Sequence, residues 1–101
     1  MNRRYFEHIY IELCLAANRR LSRYDLWLLV WESGNDPDDM TGAHAAHFVE
    51  HDLSGVLEEE GVRLGKRARR RLEKSILRFD PHRPTPEEWL ERCFERSDQA
   101  A

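Results

Sequence analysis

The sequence predicts an all-α protein, a compact bundle of four to six short helices with short connections. Apolar residues recur three and four positions apart in successive segments, which is the spacing of one helical face. Residues that typically begin or end helices stand between these segments. No segment offers a partner strand for a sheet. For a chain of 101 residues we expect a single helical domain over residues 1–101, with residues 97–101 frayed.

The first helix is predicted to begin after Asn2, which would act as its cap, and to run to about Arg20. Its charged residues are left for solvent. Its apolar face is predicted to contain Phe6, Ile9, Leu13, Ala16 and Ala17, widened by Tyr5, Tyr10 and Cys14.

The second helix lies in Leu21–Trp31, the most apolar stretch of the chain, and we expect the fold to be organised around it. Ser22 is a suitable N-cap, and Asp25 suits the positive end of the helix dipole. A helix that is apolar nearly all round is either buried on most sides or docked on another chain. A buried strand is the alternative for so short an apolar run, but the helical neighbours favour a helix. One face of this helix contains Tyr24, Trp27, Leu28 and Trp31.

The segment from Ser33 to Asp39 is the clearest loop, because Gly34 suits a helix end and Pro37 has no N–H. Its acidic residues suggest calcium, but their spacing argues against an EF-hand. Counting from Asp36, the fifth position is Met40 and the sixth is Thr41. An EF-hand needs an oxygen ligand and a glycine at those positions. A solvated loop is the better prediction.

The third helix is predicted to start near Asp39 or Thr41 and to run to about Glu60. Ser54 and Gly55 are expected to kink or split it, since glycine is unfavourable inside a helix. Three glutamates at its C-terminal end, residues 58–60, oppose the helix dipole and predict neighbouring cations, which residues 66–78 would supply. The predicted core face contains Ala46, Val49, Leu53, Val56 and Leu57.

Two further helices complete the prediction. The fourth, at about Gly65–Phe79, has an apolar face of Ala68, Leu72, Ser75, Ile76 and Phe79. The fifth opens with Thr85 as N-cap and Glu88 three residues later, a capping box. Its apolar face would contain Trp89, Leu90, Cys93 and Phe94.

The opposite side of the fourth helix is strongly cationic. Five residues fall within about 100° of arc at helical spacing. Arginine side chains bind phosphates, so this side could lie along a nucleic-acid backbone. No aromatic residue interleaves the run, and a solvated face paired with glutamates is the simpler interpretation. We call these residues the basic face: Arg67, Arg70, Arg71, Lys74 and Arg78.

Three histidines, His44, His47 and His51, stack on one side of the third helix, opposite its apolar face. Imidazole is a common ligand for zinc, copper and nickel. However, Ala45 stands where a zinc-protease motif has glutamate, and a ligand seven residues on is badly placed for one tetrahedral site. We therefore predict an exposed polar face, with a pH-sensitive contact as a weaker alternative, and no metal.

No catalytic motif stands out, so we expect neither an enzyme nor a cofactor. Cys14 and Cys93 lie on apolar faces and are expected to be reduced, buried residues of a cytosolic protein. The apolar run near the N-terminus carries charges, which argues against a signal peptide. No run approaches the eighteen or so apolar residues of a membrane span. A net charge of -3 argues against a general polyanion-binding protein.

The function predicted by these observations is protein–protein binding. Large aromatic residues are numerous for so small a core, and tryptophan, tyrosine and arginine dominate interface energetics. We expect a small cytoplasmic regulator of the inhibitor, anti-activator or adaptor type, docking on a larger regulator or complex, and itself a homodimer. The alternatives are that these aromatic residues simply pack inside, or that the basic face within residues 66–78 binds nucleic acid. The predicted partner-binding residues are Tyr10, Tyr24, Trp27 and Trp31.

Overall fold

The computed structural model describes residues 3–79, and the predicted fifth helix lies outside them. Four helices occupy this part of the chain, which contains no β-strand, so the predicted all-α class is confirmed. The third helix, α3, covers residues 42–59 in three pieces: the α-helical Gly42–His47, a π-helical turn at Phe48–Asp52 and the α-helical Leu53–Glu59. The other helices are α1 at Arg4–Ala17, α2 at Arg23–Glu32 and α4 at Lys66–Leu77.

Helix α1, rather than α2, is the centre of the fold, which corrects the expectation from sequence. It packs against both α2 and α4. Only Leu26 and Val30 of α2 are buried. High apolar content thus says little about how many sides of a helix are covered. The buried residues of α1 include two that the predicted apolar face omitted, His8 and Ile11; the full set is Phe6, His8, Ile9, Tyr10, Ile11, Leu13 and Cys14.

Local signals fix the helix ends. Ser22 caps α2 as predicted, since its Oγ accepts a hydrogen bond from Asp25 N at 3.2 Å. Helix α1 ends earlier than expected, because Asn18 takes the left-handed conformation (φ 55°). Gly34 does the same after α2 (φ 97°). At both ends the next residue's N–H reaches back five residues to a free helix carbonyl, the Schellman arrangement.

The irregularity in α3 lies one turn before the predicted kink at Ser54 and Gly55. Leu53 N–H donates to the carbonyl of Phe48, five residues earlier. The wider π turn rotates the chain, so that Phe48 and Leu53 both reach the core and are fully buried. It also corrects the predicted core face, because Ala45 is buried whereas Ala46 is exposed.

Gly55 is a site where a stabilising substitution is expected. It is exposed within the helical piece Leu53–Glu59, and a Cβ there would meet no atom within 4 Å. Gly55→Ala should therefore raise the free energy of unfolding by about 0.5–1 kcal/mol, measured by urea denaturation. The control is Gly34→Ala, which should destabilise the protein because alanine disfavours the positive φ at residue 34. Equal effects of the two changes would contradict this account.

Helices α1 and α4 run antiparallel and are joined by a histidine. His8, near the start of α1, donates from Nε2 to the carbonyl oxygen of Ser75 at 2.7 Å. Its ring stacks on Phe79, with centroids 4.5 Å apart and planes inclined by 13°. An N–H donor at a helix C-terminus satisfies a free carbonyl and suits the dipole. His8 thus caps the last described helix from a position 67 residues away in sequence.

Candidate functional site

Three aromatic side chains of α2 form one outward surface. Tyr24 is 68% exposed and Trp31 is 53% exposed, whereas Trp27 is half-buried against the core. The rings of Trp27 and Trp31 stack with centroids 5.4 Å apart and planes inclined by 7°. The three side chains therefore lie on one face of α2, as the helical spacing predicts. We call Tyr24, Trp27 and Trp31 the aromatic surface.

The acidic loop holds this surface in place. Trp27 Nε1 donates to Asp38 Oδ1 at 3.4 Å, and Arg3 Nε lies 2.7 Å from the same oxygen. The loop is also less solvated than expected, because Asn35 and Pro37 are buried. Asn35 Nδ2 reaches Asp52 Oδ2 in the π turn at 3.4 Å. The carboxylates of this loop therefore position a tryptophan and tie the loop to α3.

An open cleft of about 300 Å³ lies beside the aromatic surface, between the first turns of α1 and α2. Phe6 and the two rings of Tyr24 and Trp27 supply its apolar walls. Arg23 Nε and Glu7 Oε2, which are both buried, lie 3.1 Å apart and form an ion pair between two residues that line the cleft. Aromatic side chains and arginine are enriched in protein-binding patches.

Tyr10, the fourth predicted partner-binding residue, does not lie on this surface. It is only 4% exposed, and its hydroxyl donates to the carbonyl oxygen of Leu21 at 2.7 Å. Burial, with the Cys14 side chain as a hydrogen-bonding neighbour, raises the pKa of the Tyr10 phenol well above its ordinary value. The helical spacing that placed Tyr10 on an apolar face was right, but that face is the core.

The three histidines are exposed as predicted, yet they do not form one cluster. His44 belongs to a capping box, in which its Nδ1 accepts from Thr41 N at 3.1 Å. The rings of His47 and His51 lie 4.6 Å apart, and His47 Nδ1 is 3.7 Å from Asp52 Oδ2. Within residues 3–79, no group of three or more potential ligands is arranged to hold a metal ion.

The basic face is fully on the surface, because all five of its side chains are exposed. Within residues 3–79, no ion pair joins the basic face to the three glutamates at residues 58–60, so that predicted pairing is wrong. The contact to that helix end comes instead from Arg19, whose guanidinium donates to the backbone oxygen of Glu60. In the part of the chain that the structure describes, the ion pair of α4 joins Arg69 to Glu73, on another side of the helix.

The side chain of Glu60 is expected to make the stability of the protein depend on pH. Burial, and then the nearby carboxylate of Asp25, raise the pKa of Glu60 above its ordinary value of 4.5. A carboxyl group whose pKa is higher in the folded than in the unfolded protein stabilises the fold at pH values below its unfolded-state pKa. This stabilisation is lost as the pH rises through its folded-state pKa. Glu60→Gln should therefore raise the melting temperature at pH 7, with the gain vanishing near pH 4. Glu58→Gln, which removes an exposed charge that does not contribute to the raised pKa of Glu60, is the control and should show no such pH-dependent gain. A pH-independent gain would contradict the assignment.

Comparison with known proteins gives no further guide. No family model, no curated protein and no solved structure matches the chain. Among residues 3–79, no helix is both long and apolar enough to cross a membrane. The features of the described residues that bear on function are the aromatic surface, the cleft beside it and the basic face.

Proposed function

We propose that this protein acts by binding another protein through its aromatic surface. The observation that carries the proposal is that Tyr24 and Trp31, two turns apart on one face of α2, are both mostly exposed. Exposed large apolar side chains gathered in one patch mark interaction surfaces. Tyrosine and tryptophan are also the residues that most often dominate binding energy.

The surface is preformed, which supports the proposal. Trp27 is held by its hydrogen bond to Asp38, and Trp31 stacks on Trp27. Side chains that are already ordered lose less conformational entropy when a partner binds. The adjacent cleft of about 300 Å³ offers a socket for an apolar side chain of the partner.

Within this proposal the protein is a small cytoplasmic regulator without catalytic activity, of the inhibitor, anti-activator or adaptor type. Its partner is a larger regulator or complex. A rigid surface on a small domain suits this role, because binding alone is enough to block or bridge a larger protein.

Capture from extracts of the native host tests the proposal. The tagged parent protein should retain a partner that Tyr24→Ala/Trp31→Ala loses. Leu77→Ala is the matched control, since Leu77 is 52% exposed on α4, away from the aromatic surface. Its capture should equal that of the parent. Recovery of the same proteins by the parent and the double variant would refute the proposal.

A second copy of the chain is the first partner to test. We predict a homodimer in which Trp27, Trp31 or α1 lies at the interface. Light scattering at micromolar concentration should give about twice the monomer mass of 12.1 kDa, and Trp31→Ala should shift the equilibrium towards monomer. A parent protein that remains at the monomer mass would contradict the prediction.

Nucleic-acid binding through the basic face is the alternative function. The exposure of all five cations supports it, whereas a net charge of -3 for the whole chain opposes it. A salt titration separates the two functions. Affinity for a nucleic acid should fall steeply with salt, and docking through the aromatic surface should not.

A further inference from the structure

We infer that the groove between α1 and α4 binds an acidic amphipathic helix of a partner protein. The groove has a volume of about 230 Å³. It lies between the C-terminal half of α1, at Leu15 and Ala16, and the stretch of α4 from Ala68 to Ser75. It shares no lining residue with the cleft beside the aromatic surface.

The floor of the groove is apolar and shallow. Leu15 is 40% exposed there, and Leu72 is buried beneath it. Ala16 and Ala68 are half-buried, and their small side chains allow a third helix to approach closely. A groove between two packed helices is a common receptor for the apolar face of an amphipathic helix.

The rim of the groove is cationic. At 100° per residue, Arg67, Arg71, Lys74 and Arg78 fall within about 60° of one another, and Arg71 itself lines the groove. None of the four forms an ion pair within residues 3–79. A bound helix without acidic residues would offer these four cations no ion-pair partner. A helix with acidic residues on either side of its apolar face would pair with them.

One observation favours an acidic helix over a phosphate backbone. The exposed Leu15 side chain gains nothing from phosphate but loses water when an apolar side chain covers it. Because Glu12 lines the α1 side of the groove, the acidic residues of the occupant must lie on the α4 side, beside Arg71. The occupant must therefore supply both negative charge and apolar surface.

Fluorescence anisotropy with the full-length protein at physiological salt tests the inference. The probe is a labelled peptide of about 18 residues, long enough to form helix, with leucine at helical spacing and glutamate elsewhere. It should bind at micromolar concentration, and a matched peptide with lysine replacing glutamate should not. Arg67→Glu/Arg71→Glu should weaken binding by about tenfold or more. Leu15→Ser should also weaken it, without altering the net charge.

The control is a double charge reversal of the same size at two positions outside the groove. Arg63→Glu/Lys66→Glu alters the net charge equally, at exposed positions outside the groove, and should leave the affinity almost unchanged. An equal loss in both double variants would overturn the inference. So would failure of the acidic peptide to bind. Tighter binding of a duplex DNA, insensitive to Leu15→Ser, would assign the basic face to nucleic acid instead.

Discussion

Phe48→Ala is expected to lower the free energy of unfolding by about 3–5 kcal/mol. The side chain is fully buried, and it lies at the first residue of the π turn Phe48–Asp52. A domain of this size has a total stability of about 5–15 kcal/mol. The substitution should therefore reduce the melting temperature by more than about 15 °C, or unfold the protein outright.

Circular dichroism during thermal unfolding measures this effect. Phe48→Leu, which keeps most of the apolar volume, is the matched control and should cost about 1.5 kcal/mol or less. A loss below about 1 kcal/mol for Phe48→Ala would show that the ring does not lie in the core. The π turn would then have no packing role.

Trp31→Ala is expected to produce the opposite pattern, a large loss of binding with little loss of stability. Trp31 is 53% exposed, so its removal leaves no buried cavity. As an interface anchor it should contribute about 2 kcal/mol or more, which is roughly a thirtyfold change in affinity. Dimerisation by analytical ultracentrifugation and melting temperature should be measured on the same sample.

Trp27→Ala provides the comparison. Trp27 is half-buried, and its indole N–H donates a hydrogen bond to Asp38. We therefore expect Trp27→Ala to weaken both the fold and the association, by less than a fully buried tryptophan would. If Trp31→Ala instead unfolds the domain and Trp27→Ala only weakens association, α2 faces the other way, and the interface is to be sought on the side of His44 and His51.

What the sequence predicted well depends on near neighbours along the chain. The cap at Ser22, the left-handed Gly34 and the start of α3 near Thr41 are set within a few residues. The exposure of the basic face follows from helical spacing alone. Such signals need no knowledge of what packs against the helix.

The features that the sequence did not predict depend on contacts between residues far apart in the chain. His8 faces the core because a carbonyl of α4, at Ser75, needs its N–H. Its spacing of three from Tyr5 and Ile11 was the available signal. The π turn at Phe48–Asp52 exists because two apolar residues five positions apart both reach the core. Helical periodicity cannot show which side of α1 or α2 receives a neighbour.

The stacked indoles of Trp27 and Trp31 also have an optical consequence. Two of the three tryptophans of this protein lie in the aromatic surface, so much of its ultraviolet emission arises at the proposed docking site. Covering Trp31 should shift that emission to shorter wavelength as water leaves the ring. Unfolding by urea, in contrast, starts from a Trp31 indole that is already exposed to solvent, so it should shift the emission wavelength of that indole less. Intrinsic tryptophan fluorescence should therefore distinguish partner binding from unfolding without an added label.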